Sequence, residues 1–153
     1  MPKHEFRLTA DWFGGRAGEG HIAAGNLNTK ISIPEVMKGP GIGTNPDEMM
    51  IGAAATCYLI TLAAMLERKN IPVSSLTLET IGVVSVEMTG QIFEKMTHRP
   101  HVILHSGVNV EQMEEARAAT EAAERRCMIS NAMRGNVALA VEATVVIASS
   151  NGD

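Results

Sequence analysis

The chain has 153 residues, is 45% hydrophobic and 20% charged, and has a mean hydropathy of +0.05, which predicts one globular domain over 1–153 with a sizeable core. A net charge of −4 and a pI near 5.7 provide no strong positive field, so nucleic acid and anionic membrane surfaces are not expected partners. Met1-Pro2-Lys3-His4-Glu5 has no apolar run after its basic positions, so it does not read as a secretory signal and a cytoplasmic location is expected.

Lys3 to Trp12 alternates loosely up to Gly14-Gly15, and Ile22 to Ile33 alternates around Gly25-Asn26, which predicts a small meander of antiparallel strands. A turn-rich loop, Lys38 to Thr44, leads to Asn45-Pro46-Asp47-Glu48, where Asn is an N-cap, Pro takes the first helical position and two acids occupy the first turn. The helix expected from Pro46 to Lys69 is apolar on nearly every face through Ile51, Ala53, Ala54, Cys57, Tyr58, Ile60 and Leu62. Its Ala-rich, Thr-containing middle suits a buried helix better than a membrane span. At about 1.5 Å per residue it is about 35 Å long, more than one short domain can cover, so a second subunit is expected to help bury it.

Val73 to Glu87 and Gln91 to His105 are rich in β-branched residues and alternate, with Thr89-Gly90 as the turn of a hairpin. Val110 to Arg126 predicts a second helix, with Glu111, Glu114, Glu115, Arg117, Glu121, Glu124 and Arg125 on its wet side and Met113, Ala116, Ala119 and Ala123 on its dry side. Asn136 to Ser149 reads as one Val/Ala-rich strand, and Ser150-Asn151-Gly152-Asp153 as a frayed tail. The order makes an α+β fold.

The two cysteines, Cys57 and Cys127, are too few and too distant in sequence for a disulfide-stapled secreted scaffold. Cys57 is either a small buried hydrophobe or a nucleophile approached across the alanines around it. Cys127 follows Arg125-Arg126, whose charge favours a thiolate, while the negative end of the preceding helix opposes one. Arg16, in Gly14-Gly15-Arg16, is either a solvated turn residue or a guanidinium aimed at an anion. Asp47 complements the positive end of the long helix.

The run Gly43-Thr44-Asn45-Pro46-Asp47-Glu48 through Ala53-Ala54-Ala55-Thr56-Cys57-Tyr58 resembles the Asn-Pro-Glu and Ala-Ala-Cys-Phe segment of the osmotically inducible protein C and organic hydroperoxide resistance (OsmC/Ohr) family. Cys127-Met128-Ile129-Ser130-Asn131-Ala132 with Arg134-Gly135-Asn136-Val137 is similar to that family's second cysteine motif, and Gly14-Gly15-Arg16 to its N-terminal arginine turn. The resemblance implies an intertwined homodimer with long central helices wrapped by antiparallel sheets and active sites at the subunit interface. It implies a thiol-dependent reductase of organic hydroperoxides, with Cys57 as the peroxidatic cysteine, Cys127 as the resolving cysteine, Arg16 as the activating arginine and Asp47 as its acidic partner. No bound cofactor is implied, and an external dithiol of the lipoyl type is the implied reductant. Two positions depart from the family pattern: Asp47 stands where Glu is common, which leaves Glu48 as an alternative partner for Arg16, and Met128 stands where Pro usually follows the second cysteine.

Asp47 and Cys57 are separated by about 15 Å along one helix, so an Arg16–Asp47 unit is expected to serve the Cys57 of a partner subunit across a two-fold axis. Met49, Met50, Trp12, Phe13, Tyr58 and Met133 are candidates for an apolar mouth that favours an alkyl peroxide. The rival readings are a metal site built on His98, His101 and His105, with His101 and His105 on one strand face, and a non-catalytic ligand-binding protein that retains its cysteines as core. A thioesterase-like fold also wraps sheet around a long helix, but the sequence carries no helix-end carboxylate signature for it.

Overall fold

Tight turns and alternating strands open the chain much as the pattern predicts. A computed structural model describes residues 1–149, so the tail from Ser150 to Asp153 lies outside the described residues. The chain divides into two compact units, the first Met1–Met50 and the second from Ile51 onward.

In the first unit β1 (Thr9–Phe13), β2 (Glu19–Ala24) and β3 (Leu27–Ile31) form an antiparallel meander in that order. The first strand begins at Thr9 rather than near Lys3, because Thr9 already pairs with Ala23 and β2 ends one residue later. A 3-10 turn, Glu35–Met37, precedes Asn45, whose side chain accepts the Glu48 N–H at 3.0 Å as the expected cap.

The long helix α1 (Pro46–Arg68) ends one residue before the predicted position. Asn70 takes a left-handed conformation with φ 56. Its N–H reaches Glu67 O at 2.9 Å while Ile71 N–H reaches Leu66 O at 3.1 Å, a Schellman stop reinforced by Pro72. β4 (Val73–Glu87) and β5 (Gly90–Leu104) form the predicted hairpin, closed by the two residues Met88 and Thr89. α2 (Val110–Arg126) starts at a reciprocal capping box between Asn109 and Gln112.

Two features of the C-terminal stretch differ from expectation. A short helix, α3 (Met128–Met133), follows α2 after the single residue Cys127. The expected last strand is two pieces, β6 (Ala138–Val141) and β7 (Thr144–Ile147), both parallel to β5. The break falls opposite Arg99 and Pro100: Pro100 has no N–H to offer an edge strand, and Glu142 turns out to accept from Arg99 Nε at 3.0 Å.

The core of the second unit lies between this sheet and the helices. Tyr58, Leu62, Met65 and Leu66 of α1 pack with Ala116, Ala119 and Ala123 of α2 and with Val102, Leu104 and Val145 of the sheet. By length and mean hydropathy α1 equals a membrane span, yet among the described residues one of its faces is covered and the other is not. The opposite face, Gly52, Ala53, Thr56, Ile60 and Ala63, is exposed, with Ile60 at 65%.

Candidate active site

Cys57 lies half-buried on the flank of α1 between these two faces. Its neighbour Tyr58 points into the core, where the phenol donates to Thr120 O of α2 at 2.8 Å. That bond ties the middle of α1 to the last turns of α2, and Cys127 follows directly where α2 ends. Burial, then the nearby carboxylates of Glu121 and Glu124, push the Tyr58 hydroxyl well above its usual range, so it acts as a neutral donor.

Cys127 is fully buried and occupies two structural positions at once, C-cap of α2 and N-cap of α3. Its backbone is extended, with φ −70 and ψ 119, and its sulfur accepts the Ser130 N–H at 3.4 Å. The negative end of α2 and the positive end of α3 therefore meet at this residue. Arg125 and Arg126 are exposed and contribute no resolved effect to its ionisation. The turn is clamped from below: Arg134 Nη2 donates to Glu124 Oε1 at 2.7 Å and to Asn131 Oδ1 at 3.1 Å, and Asn131 Nδ2 donates to Arg125 O at 3.1 Å. Glu124, expected on the wet side, is turned inward by this pairing.

The surroundings drive the two thiols apart. At Cys57 burial opposes ionisation, but it is outweighed by hydrogen bonds from the Cys127 thiol, the backbone N–H groups of Ile129 and Met128, and the Thr61 hydroxyl one turn further along α1, so its pKa is lowered. Cys127 is pushed up, first by burial and then by the hydrogen bond it gives Cys57, against smaller opposing contributions from Ser130. The pair thus sets a half-accessible sulfur whose pKa is lowered beside a buried one whose pKa is raised, and both are free thiols. Thr61 and the first turn of α3 were not legible as site residues, although a Thr four positions after Cys57 and a Ser three positions after Cys127 carry the spacing that makes such contacts possible.

Arg16 and Asp47 belong to the first unit. Arg16 is exposed and donates to Met37 O at 2.6 Å and Lys38 O at 3.1 Å, fastening the glycine turn to the 3-10 turn. Among the described residues no ion pair joins Arg16 to Asp47 or to Glu48, and the Glu48 carboxylate accepts from Thr44 Oγ1 at 2.9 Å. The expected contact of Arg16 with Asp47 or Glu48 is therefore not formed among the described residues.

The histidine cluster does not converge. His101 and His105 are exposed, whereas His98 is buried, stacks on Tyr58 with ring centroids 4.5 Å apart and shares a 2.8 Å hydrogen bond with Thr80 Oγ1 through Nδ1. Burial lowers the His98 pKa, partly opposed by Glu124. Among the described residues no three His, Cys, Asp or Glu side chains are placed to hold a metal ion. Of the proposed apolar mouth, Tyr58 and Met133 are buried core residues, while Trp12 and Phe13 are exposed on the first unit.

Residues 39–142 match the family described as OsmC-like protein. The chain is 48% identical over 145 residues to the uncharacterized protein YmaD of Bacillus subtilis, covering 95% of this chain and 97% of that one. It is 29% identical over 131 residues to the organic hydroperoxide resistance protein OhrB of the same organism, covering 84% and 90% respectively. In fold it is similar to an OsmC-like protein of unknown function from Vibrio cholerae, with a TM-score of 0.77 at 16% identity over 93% of this chain and all of the other.

Proposed function

The chain belongs to the OsmC-like protein family, and we propose that within it this protein is a cysteine-based peroxidase that reduces organic hydroperoxides to alcohols. The observation that carries this reading is the opposed ionisation of two adjacent thiols, one half-accessible and lowered, the other buried and raised. Such a pair suits attack followed by resolution. The Cys57 thiolate attacks the terminal peroxide oxygen, the O–O bond breaks, the alkoxide leaves and is protonated to the alcohol, and Cys57 becomes a sulfenic acid. Cys127 then forms the Cys57–Cys127 disulfide with loss of water, and an external dithiol of the lipoyl class restores both thiols by exchange, in the reducing setting of the cytoplasm.

The working unit is proposed to be a homodimer with its active sites at the interface. The uncovered face of α1 supports this, because its small residues Gly52, Ala53 and Ala63 permit a second helix to approach closely beside the flank that carries Cys57. Exposed Trp12, Phe13 and Leu27 of the first unit, and Val86, Met88 and Ile92 around the hairpin tip, add apolar surface for a partner. In that assembly Arg16 is assigned to the Cys57 and bound peroxide of the partner subunit, as a cation facing developing oxygen charge, and Asp47 is assigned as the acidic partner that pairs with it once the dimer forms.

Intact mass and thiol counting before and after one equivalent of cumene hydroperoxide test the reading. Loss of two hydrogens and of both thiols, with alcohol formed in equal amount, is expected in the wild type. Cys57→Ser should consume no peroxide, and Cys127→Ser should complete one turnover and leave a trappable sulfenic acid. Multiple turnover by Cys57→Ser equal to wild type would refute it.

A further inference from the structure

Ser130 follows Cys127 by three residues, where the first turn of α3 brings its backbone back over the sulfur. Its N–H donates to Cys127 Sγ at 3.4 Å, and its side chain is fully buried. The hydroxyl itself has no hydrogen-bond partner in the resting thiol state. An enclosed, unpartnered hydroxyl costs stability that an alanine of nearly the same size would not. The cost is explained if the hydroxyl finds its partner in a state that the resting enzyme does not populate. Charge on the Cys127 sulfur is that state: the groups at Ser130, hydroxyl and N–H, are the ones that draw Cys127 toward ionisation against burial and the neighbouring Cys57.

We infer that Ser130 is the positioning residue of the resolving cysteine, its N–H and hydroxyl orienting the Cys127 sulfur toward Cys57 and taking up the negative charge that develops on it. This rests on the peroxidase reading above. In the closing step Cys127 loses its proton and its sulfur pair forms the S–S bond. The S–O bond of the Cys57 sulfenic acid breaks, and hydroxide leaves with the proton as water. Cys127 sulfur is thereby oxidised and Cys57 sulfur reduced. During regeneration the dithiol reductant reaches the half-accessible Cys57 sulfur rather than the buried Cys127. It bonds to Cys57 and expels Cys127 as a thiolate, which Ser130 again receives.

Ser130→Ala in the full chain removes the hydroxyl and leaves the N–H in place, and Ser130→Gly is a second variant of the same kind. With one equivalent of cumene hydroperoxide, both should form the Cys57 sulfenic acid at the wild-type rate. Disulfide closure should slow by about threefold at low pH, because losing one hydrogen bond to a charged atom lowers the Cys127 thiolate about tenfold while the more basic sulfur regains about half of that on a logarithmic scale, and its pH midpoint should move upward. Independently of any peroxide, ultraviolet thiolate absorbance in a Cys57→Ser background should place the Cys127 titration at higher pH when Ser130 is Ala. Unchanged closure together with an unchanged Cys127 titration would overturn the assignment. Wild-type protein that consumes no peroxide would instead remove the peroxidase reading, and the Cys127 titration would still decide the role of Ser130.

Discussion

Met128→Pro isolates one donor to the Cys57 sulfur. Met128 is the first residue of α3 and is 72% exposed, so losing its side chain costs little packing. Proline is favoured at a first helical position, where the N–H has no partner inside the helix. The residue before it, Cys127, already has the extended backbone, φ −70 and ψ 119, that a following proline requires. The variant should therefore fold normally and lose only the N–H directed at Cys57. A hydrogen bond to a charged atom contributes about 1.5–3 kcal/mol, and because Cys57 is half-buried the lower end applies, about a tenfold loss of thiolate at a pH below its titration. The direction is upward: removing a donor to the thiolate raises the Cys57 pKa. A more basic thiolate is also a better nucleophile, which returns about half of the effect on a logarithmic scale. Alkylation of Cys57 by iodoacetamide, followed by peptide mass mapping across pH, should thus run about threefold slower than wild type at low pH and about threefold faster above the titration, so that the two curves cross. Met128→Ala, which keeps the N–H, should track the wild type. Superimposable curves for the Pro and Ala variants would refute the donor assignment.

Tyr58→Phe should lower the free energy of unfolding by about 1 kcal/mol in urea titrations, because it removes the buried 2.8 Å hydrogen bond from the phenol to the Thr120 carbonyl, which keeps only its partner within α2. It should also loosen the approach of α1 to α2 and slow disulfide closure. His98 is held neutral by burial, so its folded pKa lies below the unfolded value near 6.5. The unfolded chain then binds the extra proton first, and the stability contribution is complete above that pH and is lost as pH falls below it. Urea midpoints should decline from pH 7 to about pH 5.5 in the wild type, and His98→Phe, which keeps a ring against Tyr58, should flatten the decline. Arg134→Ala releases the clamp on Glu124 and Asn131 and should slow closure after normal sulfenic acid formation, with about 1 kcal/mol or more lost because a largely buried Glu124 carboxylate loses its half-exposed partner. An unchanged closure rate in rapid-quench mass measurements would show that the clamp does not hold the turn.

Elements whose signals are local were legible. Asn45-Pro46-Asp47 announced the start of α1, Pro72 its end, and the alternation through β4 and β5 the long hairpin. What escaped notice depended on neighbours distant in sequence. The last strand splits because Pro100 on β5 faces it and Arg99 draws out Glu142, neither of which is visible within Asn136 to Ser149. The six residues of α3 are too few for a helical period, and the group that caps them is a cysteine sulfur. Glu124 turned inward because Arg134, ten residues on, was waiting for it. Likewise, alternation could put His98 on one face of β5 but could not place Tyr58 against it.

By itself the sequence determined the α+β order, the capped apolar helix and the motif pattern naming Cys57 and Cys127, because capping, periodicity and residue type act over a few neighbouring positions. Only the tertiary structure decided that the two sulfurs share one environment with opposite consequences. Ionisation depends on which donors converge on an atom, and the donors here come from Thr61 on α1 and from the first turn of α3, drawn together by the packing of α1 on α2.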